Sequence, residues 1–312
     1  MRKLKLFVII GLAALGIYFL ALSMNTEGII KSAMTVADAA PVVTEAPVTP
    51  PPKETEVPDD RASIIPTTIS GGMVIKNATS YNVDVSALLN EGCPIRLQAD
   101  KPQILIIHTH SSEAYSPAGL DKYEDSGASR TQDNNYNVIR IGDELTKIFE
   151  SCGLNVIHDR GVYDYPSYTG SYNRSGAAIE KYLSENPSIA IVIDLHRDAL
   201  GSKDVTYKTV ATESGVCASQ IMIFIGTDGS GLEHPRWREN LRFGLYLQNA
   251  VISEYPSLMR PVQLVSYRYN QHLTTGSMIL EVGSNGNTLQ EALAAIRLFG
   301  KAAGPALAVL VE

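Results

Sequence analysis

Alternation between short β-branched runs and longer stretches of helical period constrains this chain more than any other feature. Residues 103–110, QILIIHTH, form an Ile-rich run, and 136–159, YNVIRIGDELTKIFESCGLNVIHD, follow with Val138, Ile141, Leu145, Ile148 and Phe149 at helical spacing. Cys152 and Gly153 close that helix, and LNVIHD supplies the next strand. A second helix fits NRSGAAIEKYLSENP, stops at Asn186-Pro187, and leads straight into SIAIVIDLHRDA. Beyond it the pattern predicts a hairpin arm in DVTYKTVAT, a strand in QIMIFIGTD and a helix from about Trp237 to Tyr255. SMILEVGSNGN reads as the last core strand, and Thr288-Leu-Gln-Glu291 as a capping box that opens a C-terminal helix. Such alternation implies an α/β fold, a three-layer domain whose mostly parallel or mixed sheet is covered by helices on both faces.

At 312 residues the chain can bury a sizeable core, and a formal net charge of -7 argues against a dedicated nucleic-acid binder. Cys93, Cys152 and Cys217 are odd in number and widely scattered, with no CxxC spacing for zinc or redox work. The N-terminus is of a different kind. Arg2, Lys3 and Lys5 precede an uncharged apolar run from Leu6 to Met24, about the length that crosses a bilayer as a helix. The basic flank would stay cytoplasmic and everything after Met24 would be exported. A cleaved signal peptide is the competing reading, but the run is long for one and its small-x-small match, Ala21-Leu22-Ser23, is weak. Residues 1–28 are therefore expected to anchor the chain in a membrane. Residues 29–62, rich in Pro, Thr and Glu, are expected to form a linker that holds a catalytic or binding domain, 63–312, off the membrane.

In open α/β sheets, sites form outside the carboxyl ends of the strands. Three predicted strands carry unusual polar residues there: His108 and His110 after ILII, His196 in IVIDLH, and Glu281 in MILEVG. If these strands are neighbours, His110, His196 and Glu281 converge. Two imidazoles and a carboxylate are a common ligand set for catalytic zinc, and a second carboxylate is then needed as general base. The competing readings are structural. A strand-end His is often simply hydrogen-bonded, and a Glu in an apolar strand can be explained by a salt bridge to Arg. His108 and His110, two residues apart, are expected on one face of their strand. His158 and His234 read as structural.

The ordered series IIHTHSSEAY, NVIRIGDELTKIFESCGLNVIHD, PSYTGSYNRS, IVIDLHRDA, YNQHL and ILEVGSNGNTLQEA resembles the stage II sporulation protein P family, from about residue 100 to the C-terminus. The resemblance implies a membrane-anchored peptidoglycan hydrolase of forespore engulfment, distantly similar to zinc-dependent N-acetylmuramoyl-L-alanine amidases. By that resemblance His110 and His196 bind Zn2+ and Glu281 is the catalytic carboxylate. The amidases' remaining ligand is a Glu just before the first long helix. At that place this chain has Asp133, one methylene shorter, which is taken as the ligand, with Glu113 as the alternative. His108 would support the site or touch substrate. Arg197 and Asp198 would orient His196 or bind a substrate carboxylate, and His272 would face a developing oxyanion. The resemblance further implies a possible second activity on peptide cross-links and a partner hydrolase, a lytic transglycosylase. A non-catalytic peptidoglycan-binding scaffold and an exported metallopeptidase are the competing functions.

Overall fold

The computed structural model describes residues 63–64, 75–125, 129–202 and 204–312, which belong to one compact unit, Asp60–Glu312. The expected anchor and linker, 1–28 and 29–62, lie outside the described residues. Among the described residues no helix is long and apolar enough to cross a membrane.

The elements run in the order β1 (Ser63–Ile64), β2 (Ile75–Asn77), α1 (Val85–Asn90), β3 (Ile104–Ile107), α2 (Val138–Ser151), β4 (Val156–His158), α3 (Ser171–Glu185) and β5 (Ile191–Asp198). There follow β6 (Tyr207–Lys208), β7 (Val210–Glu213), β8 (Val216–Ser219), β9 (Ile221–Gly226), α4 (Trp237–Glu254) and β10 (Val262–Val265). A 3-10 turn (Gln271–Leu273), β11 (Gly276–Ser284) and α5 (Leu289–Ala308) complete the chain. Seven strands form the main sheet in the order β2-β10-β9-β11-β5-β3-β4. All neighbours pair in parallel except β9 with β11, where the sheet changes direction. The expected mixed α/β sheet is thus present, and β7 and β8 form the expected hairpin.

Burial on both faces explains why β3 is four consecutive apolar residues, all buried. Ile104 and Ile106 pack with Val138, Ile141, Leu145 and Phe149 of α2 and with residues of α4 and α5. Leu105, Ile107 and Val192 face the other way, against Ile179 of α3. The helix starts follow their capping residues. The Asn137 side chain accepts from Ile139 N at the head of α2, and Thr288 and Glu291 make a complete capping box on α5.

Candidate active site at the carboxyl edge of the sheet

Because β3, β5 and β11 are adjacent and parallel, their carboxyl ends deliver His110, His196 and Glu281 to one edge. His196 is paired in register with Glu281. Asp194 precedes His196 by two residues and so shares its face. Asp194 Oδ1 lies 2.9 Å from His196 Nε2, off the ring's N–H axis, so this is an ion-pair contact and not an in-line hydrogen bond. Asp194 is in turn fixed by Thr109, whose backbone N donates to Oδ1 (2.8 Å) and whose hydroxyl donates to Oδ2 (2.7 Å). That contact joins the end of β3 to β5.

The chain leaves β3 at Ile107, and this divides His108 from His110. His108 Nδ1 lies 2.9 Å from Leu195 O and its Nε2 lies 2.8 Å from His158 Nε2. His158 Nδ1 meets Asp143 of α2 at 3.2 Å. His108 is therefore buried in a structural chain under α2. His110 instead stacks on Tyr168 (ring centroids 4.3 Å) and meets the edges of Tyr172 (5.5 Å) and His196 (5.2 Å). The expectation that the two histidines serve one face is corrected, because the strand ends before either of them.

The carboxylate beside His196 is Glu113, whose Oε2 lies 3.2 Å from His196 Nδ1 and also accepts from Arg197 N. Arg130 meets Glu113 Oε1 at 3.3 Å. Asp133, expected as the zinc ligand, is exposed, and its Oδ1 accepts from the backbone and side chain of Asn135 (both 2.9 Å). The reason is local. Asp133 opens a turn before α2, its carbonyl accepting from Tyr136 N, whereas the backbone of Ala114 bridges to Asn137 and draws the neighbouring Glu113 inward. Arg197 is buried and donates through Nε to Ala114 O (3.0 Å), so it fastens the segment that carries Glu113. Asp198 pairs with Arg260 at 2.6 Å. The ring of His272 faces His234, with centroids 6.4 Å apart, so its nearest imidazole is not one of the edge cluster.

Charge divides these groups sharply. Burial lowers the His110 pKa to about 4, which leaves a neutral imidazole at neutral pH. Burial also opposes charge on His196, but Asp194 and Glu113 outweigh it and hold the His196 pKa well above the ordinary value. Glu113 resists burial in the same way, held well below the usual carboxylate range by His196, Arg197 and Arg130. For Glu281 the opposing charges of His196 and Arg260 do not outweigh burial. Part of its side chain reaches solvent, but Oε2 does not, and burial pushes its pKa up to about 8.

Among the described residues no group of three or more His, Cys, Asp or Glu side chains already surrounds a common metal-binding point. The site's donors hydrogen-bond or ion-pair with one another instead. The donor types nonetheless fit zinc. Two buried atoms at this edge, His110 Nδ1 and Glu281 Oε2, also lack a hydrogen-bond partner. Unpaired buried polar atoms are costly, and an ion and water are the kind of occupants that would satisfy them.

The description of the Stage II sporulation protein P family matches residues 37–303, most of the length of the chain. The chain belongs to that family. A curated relative, Stage II sporulation protein P of Bacillus subtilis (strain 168), is 27% identical over 213 residues, covering 64% of this chain and 49% of its own length. The chain thus matches about half the length of that curated sporulation protein. Among solved structures, the N-acetylmuramyl-L-alanine amidase Ami1 of Mycobacterium smegmatis is 12% identical, with 69% of this chain and 98% of that chain covered and a TM-score of 0.41. The CwlD amidase of Clostridioides difficile, solved in complex with the GerS lipoprotein, is 16% identical, with 66% and 94% covered and a TM-score of 0.36.

Sequence reasoning passed over Arg130, Tyr168, Tyr172 and Asp164. Tyr168 lies in the loop before α3 and Tyr172 in its first turn, so no helical period links them and the sequence carried no signal that both meet His110.

Proposed function

We propose that this sporulation-family chain is a zinc-dependent peptidoglycan hydrolase, an N-acetylmuramoyl-L-alanine amidase. The observation that carries this reading is the meeting of a neutral buried imidazole, His110, an imidazole flanked by carboxylates, His196, and a carboxyl of raised pKa, Glu281, at one sheet edge. His110, His196 and Glu113 would hold the metal. Zinc in such a set supplies Lewis-acid polarisation of an amide carbonyl and acidifies water.

The residues themselves do the rest. His110 offers a lone pair without first losing a proton. Glu113 and Asp194 keep His196 fixed between two carboxylates. Glu281, with a pKa near the working range, takes a proton from attacking water and returns one to the leaving alanine nitrogen. A carboxyl of ordinary pKa would be a weaker base toward the water and would hold the transferred proton less well. The N-terminal apolar run would hold the domain outside the cytoplasm, close to peptidoglycan, beside a second sporulation hydrolase. These placements rest on the sequence and on the family resemblance.

Digestion of purified sacculi tests the reading. Release of free stem peptides by zinc-loaded wild type, and its loss in Glu281→Gln, is the expected result. Binding to sacculi without cleavage would favour a scaffold, and cleavage of protein but not of sacculi would favour a metallopeptidase.

A further inference from the structure

Arg130 lies just before α2 and touches both halves of the metal-binding set without belonging to it. Its Nη2 meets Glu113 Oε1 at 3.3 Å, and that carboxylate's other oxygen contacts His196 Nδ1 at 3.2 Å. Its guanidinium carbon lies 5.0 Å from the centre of the Tyr168 ring, and Tyr168 stacks on His110 at 4.3 Å with only 13° between planes. One planar cation therefore reaches His196 through a carboxylate and His110 through an aromatic ring.

Arg130 is itself held from behind. Nη1 pairs with Asp164 Oδ2 at 3.0 Å and donates to Ser112 Oγ at 3.1 Å. Asp164 has no side-chain exposure and also accepts from Ser111 Oγ (3.0 Å) and from Ser112, so its carboxylate is a fixed post. The Arg130 backbone N donates to Asp125 Oδ1 at 3.1 Å. With Glu113 on one side and Asp164 on the other, the guanidinium is a paired charge held as a rigid fork with one flat face.

We propose that Arg130 is a positioning residue that holds Glu113 and, through Tyr168, His110 as parts of a single metal-binding unit. The inference rests on the zinc reading above. Its chemistry explains why arginine occupies the position. Lysine would keep the charge but has neither the fork that spans two carboxylates nor a plane to lie on Tyr168.

The test uses zinc and cobalt(II) alone as probes, with wild type, Arg130→Met, Arg130→Lys, Tyr168→Phe and Tyr168→Leu. Affinity is read by titration, coordination by the visible spectrum of the cobalt form, and folding by thermal melting of the metal-free protein. The expected result is zinc binding weakened about 10- to 100-fold in both Arg130 variants, the usual cost of losing a group that orients a ligand. The cobalt spectrum should change as the carboxylate detaches. Tyr168→Leu should weaken binding in the same direction and Tyr168→Phe should not. Because Tyr168 is a partly exposed loop residue, its variants keep the test decisive if an Arg130 variant fails to fold. Wild-type affinity in Arg130→Lys would overturn the inference, as would a lowered melting temperature with unchanged affinity and spectrum. A wild type that binds neither metal would overturn the zinc reading and this inference together, whereas the other two failures leave the zinc reading standing.

Discussion

Glu281 of β11 sits directly across from His196 of β5 in the parallel pairing of the two strands. A carboxyl of raised pKa and an imidazole held charged by other carboxylates are thus fixed side by side by backbone hydrogen bonds. Their separation does not depend on a loop.

This pairing makes Glu281→Gln a clean variant. Stem-peptide release should fall by about 100- to 10,000-fold, the range expected for loss of a general acid–base group. The pH dependence of stability follows from the same carboxyl. Its folded pKa, about 8, is above the unfolded value of 4.5, so the folded state retains a proton that the unfolded state has released. The contribution is harmless below about pH 4.5 and destabilises increasingly as pH rises toward 8. In metal-free protein, the stability advantage of Glu281→Gln over wild type should therefore widen across that window in urea titrations. A constant gap would show that Glu281 ionises normally.

Zinc binding at neutral pH should release protons, since His196 is held protonated by Asp194 and Glu113. Affinity should accordingly rise with pH. Calorimetry in buffers of different ionisation enthalpy reads the proton count directly. Binding with no proton release would mean that His196 is not a ligand. The same shift has a stability consequence in metal-free protein. His196's folded pKa is raised, so its stabilisation is complete below its unfolded value of about 6.5 and is lost as pH climbs through the folded one.

Glu113→Gln and Asp133→Asn separate two carboxylates. Glu113 contacts His196 and is buried, whereas Asp133 is exposed and bonds within its own turn. Zinc affinity should fall at least about tenfold in Glu113→Gln and stay within about twofold in Asp133→Asn. The reverse order, read by competition against a chelator, would restore Asp133 as the ligand.

Gly142 in α2 offers a test of the buried histidine chain. Glycine to alanine inside a helix ordinarily stabilises by up to about 1 kcal/mol. Here a Cβ would lie 2.5 Å from His158 Nε2 and 2.7 Å from His108 Nε2. Gly142→Ala should therefore destabilise by about 1–3 kcal/mol, as overpacking does, visible as a lower urea midpoint with unchanged slope. An unchanged or raised midpoint would show that the two rings can part at no cost.

The sheet and the three strand ends were legible because period and burial act along the chain. Ile104–Ile107 and Ile191–Ile193 read as buried strands from their side chains alone, and the Thr288 capping box is a local pattern. Asp133 matches by its distance before the helix, while the turn that points it outward depends on Asn135 and on Ala114 pairing with Asn137, neither of which periodicity reveals. Arg130 and Asp164 were not legible at all. Their contact joins loops 34 residues apart, and no periodicity links loop to loop. His108 and His110 failed for a related reason, since strand alternation carries no information past the residue where the strand stops.

The bond between Thr109 and Asp194 has a consequence for assembly. It forms only when β3 lies beside β5 at one register, and a slip of one residue would turn Asp194 away from Thr109 and His196 to the opposite face. The edge of the sheet thus acts as its own inspector. A chain that has paired these strands incorrectly does not assemble the cluster, and on the proposed reading hydrolysis would begin only in molecules whose topology is already correct.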